Sequence, residues 1–124
     1  MPSETAERFM RVWKDFERDG DPVPLAALFA DDAEVLIPSP GGAVRGPQAA
    51  VQYGNAYRAA YREIHSDFTS VVEYEGRVVL EWDAWGASPD GRPITCKGVS
   101  ILETADGRVR RFRTFTQAPA TGIR

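Results

Sequence analysis

The chain has 124 residues, of which 43% are hydrophobic and 27% charged; this is the size and make-up of one domain with its own core. A net charge of −3 speaks against nucleic acid or an anionic membrane as partner, since either favours a basic surface. Cys96 and His65 are the only residues of their kind, which excludes an intrachain disulfide and a His/Cys zinc site and fits a reducing cytoplasm.

The N-terminus, MPSETAERFMRVWKDF, is charged throughout and does not read as a signal peptide. Ser3-Glu4-Thr5-Ala6-Glu7 offers a capped helix start, where a hydroxyl can accept orphan N–H groups and the acids favour the positive end. Phe9, Val12, Trp13 and Phe16 then recur at helical spacing, and Gly20 in RDGD stops the helix. PLAALFADD (24–32) reads as a second, shorter helix carrying Leu25, Leu28 and Phe29. AEVLIP (33–38) reads as a strand, and SPGG as a loop. Gly46-Pro47 opens a third helix expected to run to about Ile64, with Tyr53, Tyr57 and Tyr61 every fourth residue. From His65 the texture becomes β. SDFTSVVEY and RVVLEWDAWGA flank Glu75-Gly76, a hairpin signal. ITCKGVSILET and VRRFRTFTQ follow, separated by the turns SPDGRP and ADGR. Helices first and a strand meander after predict an α+β domain spanning 1–124, with helices on one face of a curved antiparallel sheet. Residues 119–124 read as a loose tail. No apolar run approaches the roughly 18 residues of a membrane helix.

The segments LAALFADDAEVLIP, GGAVRGPQAAVQYGNAY, GRVVLEWDAWG and GVSILETADGRVRRFRTF, in this order across residues 5–118, resemble the SnoaL-like and ketosteroid-isomerase-like branch of the nuclear transport factor two-like superfamily. The resemblance implies a cone of three helices and a bent sheet around an apolar pocket. It also implies pairing of two copies through the outer sheet face. Such proteins include isomerases, polyketide cyclases, epoxide hydrolases, dehydratases and pure binders, so fold alone does not give function.

Position by position, the resemblance takes acids away. Ile37 stands where the ketosteroid isomerases keep a general-base Asp. Trp13 stands where they keep an oxyanion-holding Tyr, and Val99 falls near their protonated Asp. Trp82 and Ala84 fall near the Arg and Asp of the limonene-epoxide-hydrolase type, and Thr114 stands at its last-strand acid.

Other groups remain as candidates. Alternation puts Val78, Leu80, Trp82 and Ala84 on the pocket face, leaving Glu81 and Asp83 outside to pair with Arg111 or Arg113. A two-residue hairpin loop would set Asp67 opposite Ala84, on the pocket face; a three-residue loop would set Phe68 there instead. A buried Asp67 would be a general base. His65, near the third helix's end, is the other candidate proton carrier. Tyr53 and Tyr57 can wall the pocket and donate to a ligand carbonyl. The ligand-binding set expected is Trp13, Phe29, Ile37, Tyr53, Tyr57, Trp82, Val99, Phe112 and Thr114. No metal or cofactor is implied. The expected function is a cofactor-free cyclase, isomerase or dehydratase acting on a hydrophobic polyketide-like or terpenoid-like substrate. The alternatives are a non-catalytic binder of a hydrophobic small molecule and a dimeric association module with a filled pocket.

Overall fold

The computed structural model describes residues 3–36 and 43–117. Helix α1 (Glu4–Asp19) starts as its sequence suggests: the Ser3 hydroxyl accepts from the Ala6 amide at 3.1 Å. It ends at Gly20, whose φ of 75° lets its N–H return to the Phe16 carbonyl at 2.8 Å. Its buried stripe is Ala6, Phe9, Trp13, Phe16 and Glu17.

The second helix is shorter than expected. α2 is one turn, Val23–Ala26, and Phe29 already opens strand β1 (Phe29–Leu36). Pairing explains the change: the Val109 amide donates to the Leu28 carbonyl, and Phe29 sits opposite Val109. A short strand that the sequence did not suggest, β2 (Ala43–Arg45), pairs antiparallel with β1. Helix α3 (Pro47–Ala59) also stops early. The Arg62 amide donates to the Ala87 carbonyl and Glu63 pairs with Ala87, so residues expected in the helix join the sheet. Ile64 is thereby buried as a strand residue.

Strands β3 (Glu63–Tyr74), β4 (Arg77–Ala87), β5 (Pro93–Ala105) and β6 (Arg108–Gln117) form the expected meander. Two of its turns use positive φ at both central residues, Glu75-Gly76 and Asp106-Gly107, matching the twist of tight hairpins. The sheet order is β2-β1-β6-β5-β4-β3. Because β1 runs parallel to β6, the sheet is mixed rather than purely antiparallel.

The helices cover one face of this sheet. Phe9, Phe16, Leu25, Phe29, Val35, Leu80, Leu102 and Phe112 form the buried core between them. Each fully buried aliphatic or aromatic side chain contributes about 1.5–3 kcal/mol. Gly54 permits close approach of α3 to α1: a Cβ there would lie 3.0 Å from the Phe16 ring. On the outer sheet face, Arg111 reaches Glu34 at 3.1 Å and Glu103 at 3.3 Å, and Arg113 reaches Glu103 at 4.0 Å. Those arginines were expected to meet Glu81 and Asp83. Register pairs these acids with Val99 and Lys97 instead.

Candidate functional site

A cavity of about 140 Å³ lies between α1, α3 and the inner sheet face. Phe9 and Trp13 enter it from α1, and Tyr53 and Tyr57 from α3. Phe68, Trp82 and Phe112 enter from the sheet, and Tyr61 from the segment after α3. Trp13 is the hub of these rings, 5.0 Å from Tyr57, 6.1 Å from Tyr53 and 6.4 Å from Phe112, centroid to centroid.

One charged group stands directly behind this wall. Glu17 is 4% exposed. Its Oε2 accepts from the Trp13 indole N–H at 3.0 Å, the Tyr57 hydroxyl at 2.8 Å and the Ser66 hydroxyl at 2.6 Å. Its Oε1 accepts from the Ser66 amide at 2.9 Å. Four donors on one side chain match a carboxylate, which only accepts. None of the ion pairs among the described residues includes Glu17. Arg58 donates to its backbone carbonyl at 2.6 Å, near the end of α1. Trp13, Tyr57 and Ser66 all line the cavity, so the carboxylate is one side chain removed from any occupant.

A second polar group crosses the sheet wall. The Trp82 indole donates to the Ser100 hydroxyl at 3.0 Å, which shares a hydrogen bond with Thr114 at 3.0 Å. Gly98, opposite Trp82 in register, makes this possible: a Cβ there would lie 2.3 Å from the indole ring. Burial pushes the Tyr53 phenol well above its ordinary range, opposed by the nearby Thr114 hydroxyl. Burial, then the adjacent Glu17, push Tyr57 higher still. Both therefore remain protonated, Tyr57 with its proton directed at Glu17.

Of the residues singled out from the sequence, Trp13, Tyr53, Tyr57, Trp82, Phe112 and Thr114 line this one chamber. Phe29 lies behind Phe112, their centroids 6.1 Å apart, and belongs to the core rather than the lining. Ile37 lies outside the described residues. Val99 pairs with Glu81 and Phe115 on the outer face, and Ser100 takes the inward position.

Register decides which way Asp67 faces. The hairpin does close through two residues, Tyr74 pairing with Arg77. A bulge between Phe68 and Ser70 then shifts the ladder by one. Ser66, not Asp67, sits opposite Ala84, and Asp67 sits opposite Asp83. Asp67 is exposed and 3.7 Å from Lys14. His65 is also exposed, on β3 rather than at a helix end, with Nε2 3.1 Å from Glu63. Neither lines the chamber.

Glu17, Ser66 and Ser100 escaped the sequence reading. Glu17 carried a signal: it lies four residues after Trp13, on the apolar stripe itself.

Three helices and a mixed sheet enclosing such a chamber define the class of nuclear-transport-factor-two-like α+β cones. A protein of this fold from Anabaena variabilis superposes with a TM-score of 0.85 at 14% identity, covering 95% of each chain. A candidate SnoaL-like polyketide cyclase from Jannaschia sp. gives 0.79 at 19% identity, covering 94% of this chain and 90% of that one. A ketosteroid-isomerase-like-fold protein from Catenulispora acidiphila, complexed with trimethylamine, gives 0.78 at 16%, covering 93% and 86%. The SnoaL-like domain profile matches residues 6–112, and the chain belongs to that family. A segment of 41 residues is also 46% identical to human matrix metalloproteinase-21; it spans 33% of this chain but only 6% of that protein. Among the described residues, no helix is long and apolar enough to cross a membrane, and no cluster of His, Cys, Asp and Glu is set to hold a metal ion.

Proposed function

We propose that this SnoaL-like domain is a small-molecule enzyme of the isomerase, cyclase or lyase type, working without a cofactor on a substrate held in the aromatic chamber. The observation that carries this reading is the buried Glu17 carboxylate, joined to the chamber through the Tyr57 and Ser66 hydroxyls. In the proton transfer, a substrate C–H or O–H bond breaks and its proton goes to the Tyr57 oxygen. The Tyr57 proton passes to Glu17 Oε2, and the electron pair left on the substrate forms the new bond. The reverse passage returns the proton elsewhere on the product. Tyr53, kept protonated by burial, donates to a substrate oxygen. The rings orient a flexible substrate, which lowers the barrier to a ring closure or rearrangement.

Size bears on the substrate. A cavity of about 140 Å³ is close to the benzene-holding kind at ~150 Å³. One ring or a short branched chain fits inside, and a polyketide or terpenoid would leave its remainder at the mouth. The same domain is proposed to work in the cytoplasm as a homodimer paired through the outer sheet face, where Trp85 and Phe115 are exposed. A non-catalytic binder is the second reading, favoured by the sheet's lack of ionisable side chains at Ser100 and Thr114.

Native mass spectrometry of freshly purified protein tests the proposal by giving the subunit count and any retained ligand. Turnover of that ligand, lost in Tyr57→Phe, supports the enzyme. Tight retention without turnover leaves the binder. Turnover unchanged in both Tyr57→Phe and Glu17→Gln refutes the proton path.

A further inference from the structure

We infer that the chamber selects a small organic cation, a tertiary or quaternary ammonium group, over a neutral or anionic molecule of the same shape. The inference rests on the chamber being the ligand site, and names the charge of what enters it. Three observations carry it. First, the charged group directly behind the chamber wall among the described residues is a carboxylate: Glu17 is buried among neutral donors and makes no side-chain ion pair there, Arg58 reaching only its backbone carbonyl at 2.6 Å. Second, among the described residues no Lys, Arg or His lines the chamber, so none of them offsets that charge for an occupant. Third, eight of the fourteen described lining residues are aromatic. Aromatic rings around a desolvated cation attract it through their quadrupoles, and this is how quaternary ammonium groups are commonly held.

These contributions share one sign. An anion would meet the carboxylate and the rings without a compensating cation, and would lose its hydration on entry. A neutral group would gain only the apolar contact. A cation gains contact, ring attraction and the field of Glu17, which is little screened by salt because it is buried. Bulk agrees as well. A trimethylammonium group is comparable to benzene in size, and about 140 Å³ is available. The Ser100 and Thr114 hydroxyls at the sheet wall are placed to meet an oxygen a few bonds from the cationic centre.

Choline, neohexyl alcohol (the same skeleton with carbon for nitrogen) and the tert-butylacetate anion separate charge from shape. Each is titrated into the wild-type protein by calorimetry and by tryptophan fluorescence, since Trp13 and Trp82 both line the chamber. Choline should bind about tenfold or more tightly than the alcohol, with the anion weaker than both. In Glu17→Gln, with its fold checked by near-ultraviolet circular dichroism, the choline preference should shrink to less than threefold while the alcohol affinity holds. If that variant does not fold, the wild-type ranking decides alone. Equal or tighter binding of the alcohol or the anion overturns the charge inference and leaves the chamber standing as a ligand site. Failure of all three to bind overturns both.

Discussion

Replacing Glu17 with glutamine keeps the shape of the side chain and removes its capacity to accept on both oxygens. The wild-type carboxylate receives four hydrogen bonds at 2.6–3.0 Å. A glutamine has one carbonyl oxygen and one amide NH₂. With the oxygen at the Oε2 position, the NH₂ confronts the Ser66 amide, which can only donate. With the amide turned over, the NH₂ confronts the Trp13 indole, which also can only donate. The two hydroxyls can rotate to adapt, but one fixed donor is stranded either way. A stranded buried donor costs about 1–3 kcal/mol, and the surviving bonds fall from the charge-assisted range of about 1.5–3 kcal/mol toward about 0.5–1.5 kcal/mol each. A loss of about 3 kcal/mol is expected, out of the 5–15 kcal/mol typical of a domain. At about 4 °C per kcal/mol for a chain of this length, the melting midpoint should fall by about 12 °C. Thermal and urea unfolding followed by circular dichroism measure it, with Glu81→Gln on the exposed outer face as the control that should barely move. A Glu17→Gln midpoint within a degree or two of wild type would refute the hydrogen-bond accounting and remove the buried carboxylate from the site.

Other outcomes follow from the same contacts. Tyr53 and Tyr57 keep their protons above the ordinary range, whereas tyrosines of the unfolded chain ionise near pH 10. Their contribution is therefore fully present below pH 10 and is lost as pH rises toward the folded values. Tyr61 and Cys96, also raised by burial, add to the same trend, each retained proton contributing a slope that approaches about 1.4 kcal/mol per pH unit. Urea unfolding between pH 9 and 11 should show stability falling as pH rises, less steeply in Tyr53→Phe; a flat profile would contradict it. Gly98→Ala should displace the Trp82 indole, which lies 2.3 Å from the added Cβ, costing about 1–3 kcal/mol and shifting tryptophan emission. Ser100→Ala strands the Trp82 N–H and should cost about 1–3 kcal/mol by urea unfolding, with Ser100→Thr restoring part of it. Asp67→Asn and His65→Gln, both on exposed strand positions, should leave ligand affinity and turnover unchanged; a tenfold loss in either would return those residues to the site.

Much of the fold was readable because its signals are local. The α1 stripe, Gly20 and the Glu75-Gly76 turn each act within a few residues, and each is where the sequence put it. Misplaced boundaries lie where distant pairing overrides a local pattern. Phe29 leaves a helical run to face Val109, and Glu63 leaves one to face Ala87. The bulge after Phe68 has no local mark in DFTSV, yet it decides that Ser66 rather than Asp67 faces inward. By position along the chain, Val99 falls near an acid of the ketosteroid isomerases. Strand parity corrects it, because Trp82 faces inward and opposes Gly98, so Ser100 is the next inward residue of β5. Glu17 was hidden for a different reason. A lone glutamate reads as solvent-facing, and the groups that satisfy it in burial include Tyr57 and Ser66, 40 and 49 residues further along.

The carboxylate therefore comes to the chamber from the helix layer, while the inner sheet wall presents the neutral Ser100 and Thr114 hydroxyls. Position changes what the charge can do. A carboxylate inside the cavity would touch the substrate and take a proton directly. Behind Trp13, Tyr57 and Ser66, it contributes its field to an occupant, but a proton reaches it only through an intervening hydroxyl. These two roles separate in one substitution. Tyr57→Phe keeps the ring and leaves Glu17 with its other three donors, so the choline preference over neohexyl alcohol should persist within about threefold. Turnover of the retained ligand should fall by about 10²-fold or more, the usual contribution of a general acid–base group. Glu17→Gln should lose both. If Tyr57→Phe loses the charge preference and keeps turnover, the carboxylate acts on its ligand by some route other than this hydroxyl, and the assignment of field to Glu17 and proton path to Tyr57 is wrong.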